Sequence, residues 1–259
     1  MYLEYLEFAK IISFKAGDIM LKYYNNNISS YKSDNTIVTI ADKEINNYLI
    51  EEVRKKYPNH SVDGEEKSIG SSNYVWVCDP IDGTAMYARG IPVCVFSLAL
   101  CIDGIPMMGV VYDPFNNNMY YACKDSGAFK NDVKIHVNNY TLDDKESLVH
   151  YDMHPSFDYI VYDVVKELGK RTYIVSIGSV IRACMCIAEG NFNLAIFPGT
   201  IHKNCDIAAV KIIVEEAGGM VTDLFGNDQR YDKDINGAII SNGIIHDEVI
   251  KLVKDKIIK

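Results

Sequence analysis

The chain has 259 residues, 48% of them hydrophobic and 24% charged, with a formal net charge of -9. That composition builds one large domain or two closely packed halves, and it argues against a disordered chain or a membrane protein. The acidity argues against a nucleic-acid partner, because no basic field attracts a phosphate backbone, yet it allows a small phosphorylated substrate where bound metal inverts the local charge.

The N-terminus lacks the basic start and long apolar run of a signal peptide, and no apolar stretch approaches a membrane span. A soluble cytoplasmic protein is expected. The seven cysteines are scattered, and Cys78, Cys94, Cys101, Cys184 and Cys186 lie in apolar runs. They read as buried thiols in a reducing compartment. Cys184 and Cys186 have the wrong spacing for a zinc knuckle.

In chain order, helical periodicity predicts a first helix over about residues 3–24, ended by the asparagines at 25–27. A polar segment, 29–36, follows. A second helix starts near Thr39 and closes at Tyr57-Pro58-Asn59. Asp42 lies in its first turn, where an acid favours the helix dipole. Residues 60–63 read as a short strand running into Gly64-Glu65-Glu66.

The stretch from Val75 to Thr84 reads as a buried strand ending in two acids three residues apart, Asp79 and Asp82. Asp-Pro stops the strand and Asp-Gly turns it. Both acids are expected at the C-terminal edge of a sheet, with Gly83 and Thr84 opening a short helix whose amides suit a phosphate. A meander of antiparallel strands follows, over 93–101, 107–112 and 119–122. A connection near 138–146 divides the chain into an N-terminal half, 1–137, and a C-terminal half, 138–259.

The second half alternates. Strands are expected at 147–151, 172–176, 192–197, 220–222 and 235–240. Helices are expected at 157–168, 180–188, 205–217 and 246–257. Ser176-Ile177-Gly178-Ser179 lies at a strand-to-helix junction, where it supplies either substrate contacts or a helix cap. Asp206 is either a first-turn acid or a metal ligand, and Asn204 is the better cap by position. His150 and His154 are spaced i,i+4 without a glutamate between them, and read as surface or core residues.

Glu65, Asp79, Asp82 and the Ile81 carbonyl are hard oxygen donors, suited to magnesium and not zinc. No nucleotide loop, zinc-protease pair or serine elbow is present in the sequence.

Gly64-Glu65-Glu66, Asp79-Pro80-Ile81-Asp82-Gly83-Thr84, and Asp206-Ile207-Ala208-Ala209 with Glu216-Ala217-Gly218-Gly219 resemble the three signatures of the inositol monophosphatase family. This is a magnesium-dependent, lithium-sensitive superfamily related to fructose-1,6-bisphosphatase. The resemblance spans nearly the whole chain, including Gly109 to Pro114 and Gly178-Ser179. It implies an α+β fold, a layered α-β-α-β-α sandwich, and a homodimer.

It further implies that Glu65, Asp79, the Ile81 carbonyl, Asp82 and Asp206 hold two or three magnesium ions. Thr84 and its partner Asp42 would then act on the attacking water, with Glu65 helping to orient it. Asp82, Gly83, Thr84, Ser176, Gly178, Ser179 and Lys203 are the candidate substrate and phosphate contacts.

Two departures stand out. Met86 replaces the family's asparagine, and Cys205 replaces the tryptophan before the late aspartate. Residues Phe197-Pro198-Gly199-Thr200 carry no acid where animal members place a glutamate on an inositol hydroxyl. Lys203 is similar to a basic residue of archaeal members that also cleave fructose 1,6-bisphosphate; it meets a second phosphate or faces solvent. The expected activity is hydrolysis of a small phosphate monoester by metal-activated water, with inositol monophosphate leading. Fructose 1,6-bisphosphate, histidinol phosphate and 3'-phosphoadenosine 5'-phosphate are the alternative substrates. A metal-binding protein without turnover is the reading from a different class.

Overall fold

The computed structural model describes residues 2–26, 29–32, 36–154 and 157–258. Asn27 and residues 33–35, each part of an expectation above, lie outside the described residues. The chain runs α1 (Leu3–Tyr23), β1 (Ser29–Tyr31), β2 (Ile37–Thr39), α2 (Ile40–Lys56), β3 (Ser61–Gly64), β4 (Tyr74–Asp82) and α3 (Thr84–Tyr87). It continues β5 (Val95–Ile102), β6 (Ile105–Asp113), β7 (Asn118–Cys123), β8 (Ala128–Lys130), β9 (Val133–Ile135), β10 (Leu148–Tyr151), α4 (Tyr162–Leu168) and β11 (Tyr173–Val175). The last elements are α5 (Val180–Ala188), β12 (Leu194–Phe197), α6 (Asn204–Glu216), β13 (Met220–Thr222), β14 (Ala238–Ser241) and α7 (His246–Lys256).

Alternation along the strands builds the layers. In β4, Trp76 and Cys78 face one way and pack with Leu6, Ile12, Ile45 and Leu49 of α1 and α2. Val75 and Val77 face the other way, against α5 and α6. The seven-stranded sheet β3-β4-β5-β6-β7-β8-β9 is therefore covered on both faces. The five-stranded sheet β11-β10-β12-β14-β13 shares α5 and α6 through Ala195, Phe197 and Ile240. Its far face packs Val149, Leu194 and Ile239 on α4 and α7. The order of layers is α-β-α-β-α, as expected.

Close approach of α6 to the larger sheet depends on Gly109 in β6. A Cβ built there would lie 2.7 Å from Ile212 Cγ2 and 3.0 Å from the Ala209 backbone. Only glycine leaves room for the helix that carries Asp206.

Three expectations are corrected. The polar segment expected over 29–36 opens with a strand, β1, which pairs antiparallel with β2 just past its end. Strands of three residues are too short for a period of two to show. The helix expected from 157 begins at Tyr162. Ile160 instead forms a bridge with Ile258 near the C-terminus, and Tyr159 donates to Asn236 at 2.7 Å. Asn204 is not the cap of α6. Lys203 occupies that position with no side-chain cap bond, while Asn204 donates to Asp63 at 2.7 Å and to the Tyr231 carbonyl at 3.1 Å.

Candidate active site

The site starts from an irregularity in β4. Residues three apart in a regular strand point to opposite faces. Asp79 pairs with Ser97, and Asp82 with Val95, so the register shifts between them. Such a bulge spends an extra residue and re-aims the side chains beyond it. Pro80 sits inside the bulge, where a missing amide costs no ladder bond. Ile81 consequently packs on the α1-α2 side, and Asp82 turns toward α5 beside Asp79.

Asp82 is then held by the start of α5. Its Oδ2 accepts from the Ser179 hydroxyl and, at 2.8 Å, from the Ile181 amide. Ser179 is the N-cap of that helix and also accepts from the Arg182 amide at 3.2 Å. Of the two readings of this junction, the cap is the one the bonds display, with the Asp82 contact added to it. Gly178, at φ +80°, packs closely against the Met86 side chain. Ser176 is exposed at the end of β11.

Asp206 comes from the first turn of α6. Asp79, Asp82 and Asp206 each place a carboxylate oxygen within 4.8 Å of the others. Burial is the main force raising the pKa of all three, and their mutual repulsion adds to it for Asp79 and Asp82. Asp82 is pushed up to about 7. Three buried acids that resist ionisation, with oxygen donors only, fit a hard divalent cation such as magnesium, whose charge would restore the carboxylates.

Glu65 enters from the neighbouring strand. Gly64 is in register with Cys78, so the next residue stands beside Asp79. The Glu65 amide donates to the Cys78 carbonyl at 3.1 Å. Burial opposes its charge, but Lys203 and Lys32 outweigh burial and hold its pKa below the usual carboxylate range. Lys203 Nζ lies 3.8 Å from Glu65 and 3.6 Å from Asp206. The lysine that sequence placed against solvent or a second phosphate is thus aimed into the acid cluster.

Asp42 is both helix-start acid and neighbour of Thr84. Its Oδ2 accepts from the Thr39 amide at 2.8 Å and the Thr39 hydroxyl at 2.5 Å, closing a capping box. Its Oδ1 is 3.4 Å from the Thr84 hydroxyl, which also donates to the Ile81 carbonyl at 2.8 Å. Burial pushes Asp42 up to about 7, against the Thr39 bonds and with help from Glu65 and Glu66. Gly83 precedes Thr84 at φ +84°, a left-handed turn suited to glycine.

The sequence motifs miss several supporting residues. Asn46 of α2 accepts from the Glu66 and Lys67 amides and donates to the Lys67 carbonyl at 3.0 Å, which fixes the loop carrying Glu65. Lys32 pairs with Glu65 at 3.1 Å and Glu66 at 2.5 Å. Asp152, just past β10, lies in the field of Asp82, Asp206 and Lys203. Nothing in their local sequence marks these residues. Cys205 keeps a buried place in the core between the sheets, and its thiol lies 3.6 Å from Asp206 Oδ1. His150 is a core residue whose ring nitrogens have no partner among the described residues.

Residues 1–257 match the inositol monophosphatase family model. This chain belongs to the inositol monophosphatase family. It is 32% identical over 256 residues to the fructose-1,6-bisphosphatase/inositol-1-monophosphatase of Thermotoga maritima, covering 96% of each chain. An Aquifex aeolicus protein of the same description is 30% identical, with 97% of this chain and 96% of that one covered. The solved structure of the Thermotoga maritima IMPase superposes with a TM-score of 0.86 at 31% identity and covers 97% of both chains. Family and acidic triad together make the chain a phosphatase, one that hydrolyses phosphate monoesters with a divalent metal. Among the described residues no helix is long and apolar enough to cross a membrane.

Proposed function

We propose that this phosphatase acts on inositol monophosphate by direct attack of water, with two or three magnesium ions. The observation that carries the reading is the Thr84 hydroxyl, 3.4 Å from Asp42, beside an all-carboxylate triad. Bound magnesium would neutralise phosphate charge and lower the pKa of the attacking water. Glu65, Asp79, the Ile81 carbonyl, Asp82 and Asp206 are the residues that would hold it.

Thr84 orients the nucleophile through its hydroxyl. Asp42, poised near neutrality by burial, takes up the proton that Thr84 relays. The amides of Gly83 and Thr84 bind phosphate oxygens. Gly178 and Ser179 wall the phosphate side, and Ser176 and Lys203 complete the substrate contacts. No covalent phosphoenzyme is needed. Every cysteine thiol beside the site is held neutral: burial pushes Cys94 up to about 12 and Cys205 well above its ordinary value.

A second reading is fructose-1,6-bisphosphatase. The descriptions of the Thermotoga and Aquifex relatives favour it, as does a lysine within the site. Phosphate release with magnesium from inositol 1-phosphate, fructose 1,6-bisphosphate, histidinol phosphate and 3'-phosphoadenosine 5'-phosphate tests both. A clear preference for inositol 1-phosphate is expected. Release from none of the four would refute the reading.

A further inference from the structure

The smaller sheet contains a topological switch. From β10 the chain goes through α4 to β11 on one side, then through α5 to β12 on the other, and both pair with β10 in parallel. The two helices lie on opposite faces, α4 in the outer layer and α5 in the central one. Ligands of open parallel sheets bind in the crevice outside the carboxyl ends of the strands at such a point.

Asp152 is the first residue past the carboxyl end of β10. Its amide donates to the Ile196 carbonyl of β12 at 3.1 Å, so it stands at the mouth of the crevice between the two strands. The phosphate end of the site borders the same crevice. Ser179, which holds Asp82, opens α5 there, and the loop after β12 leads to Asp206.

Among the described residues the hydrogen bond of the Asp152 carboxylate is a local one. Oδ1 accepts from the adjacent Met153 amide at 3.1 Å. It is not one of the three acids whose oxygens converge for a cation. Lys203, in whose field Asp152 lies, pairs with Glu65 and Asp206. A carboxylate only accepts hydrogen bonds, so it suits hydroxyl donors and repels an anion.

We propose that Asp152 is a specificity-determining residue that accepts a hydrogen bond from a hydroxyl of the leaving alcohol, selecting neutral polyol phosphates and disfavouring substrates with a second phosphate. This rests on the phosphatase reading above and says which alcohol the site takes. A site built to hydrogen-bond a hydroxyl discriminates strongly against compounds that lack it, because its buried acceptor is left unpaired.

The test compares wild type with the isosteric variant Asp152→Asn, both with magnesium, on inositol 1-phosphate, fructose 1,6-bisphosphate and p-nitrophenyl phosphate. Ratios of kcat/KM on one enzyme cancel any general effect on folding or on metal affinity. The variant's ratio of inositol 1-phosphate to p-nitrophenyl phosphate should fall about tenfold, the worth of a charge-assisted hydrogen bond. Its ratio of fructose 1,6-bisphosphate to p-nitrophenyl phosphate should rise severalfold. Both ratios within twofold of wild type would overturn the assignment and leave the phosphatase reading standing.

A readout without turnover separates the two ideas. With magnesium and inorganic phosphate present, myo-inositol should raise the Tm of wild type and not that of the variant. If wild type released phosphate from no ester but showed this difference, the phosphatase reading would fall and Asp152 would stand. Equal protection of both proteins would sink Asp152.

Discussion

Replacing Asp42 by Asn should stabilise the metal-free protein while crippling it as a catalyst. Asp42 is fully buried, and its pKa rises from 3.8 to about 7. A raised carboxyl pKa means the folded state holds the proton more tightly than the unfolded chain. For this group, stability is therefore full below pH 3.8, falls between pH 3.8 and about 7, and is lowest above. At about 1.4 kcal/mol per unit, the charge costs the fold roughly 4 kcal/mol at pH 8.

Asn carries no charge and still accepts from Thr39. Its amide nitrogen replaces the oxygen 3.4 Å from the Thr84 hydroxyl. One amide proton left without an acceptor costs about 2 kcal/mol. The net gain is about 2 kcal/mol, or roughly 4–8 °C in Tm for a chain of this size. Thermal unfolding of both proteins in a chelator, from pH 4 to pH 8, measures it. The Tm difference should be near zero or negative at pH 4 and grow to its full value by pH 8. With magnesium, phosphate release by the variant should drop by roughly two to three orders of magnitude. A variant less stable than wild type at pH 8, or a Tm difference that ignores pH, would refute the reasoning.

Asp82→Asn should abolish magnesium-dependent phosphate release and leave the fold intact. Magnesium at a hundredfold its Kd should add about 2.7 kcal/mol of stability to wild type and nothing to this variant, read as a shift in Tm. Lys203→Met removes the cation 3.6 Å from Asp206 and 3.8 Å from Glu65. Calorimetry should then find magnesium bound about tenfold more tightly, and the metal-free protein should melt earlier. Weaker magnesium binding would show that Lys203 supports the metal and does not compete with it. Gly109→Ala forces a methyl within 2.7 Å of Ile212 and 3.0 Å of the Ala209 backbone, and should cost about 2 kcal/mol by denaturant titration. A Cm equal to that of wild type would show that α6 can move aside.

The family motifs and most element types follow from local pattern. Trp76 and Cys78 against Val75 and Val77 announce a strand covered on both faces, and α5 spans the residues that periodicity predicts. Short or tertiary-bound pieces do not follow. β1 and β2 form because each supplies the other's backbone partners. The turn before α4 gives up helix for a bridge to Ile258, 98 positions later in a chain whose C-terminal tail no local pattern ties to it.

The sequence by itself determined which acids were available and what chemistry their oxygens suit. Only the tertiary structure decided which of them meet. A regular strand would send Asp79 and Asp82 to opposite faces; the bulge, paired against β5, brings them together. Asp206 joins them because Gly109 admits α6 to the sheet, and Asn204 ties the start of that helix to Asp63 of β3. Lys203 and Asp152 acquire their places in the same way. Spacing along the chain controls which side chains share a face, whereas burial, charge and hydrogen bonding at a site are set by residues that only folding makes neighbours.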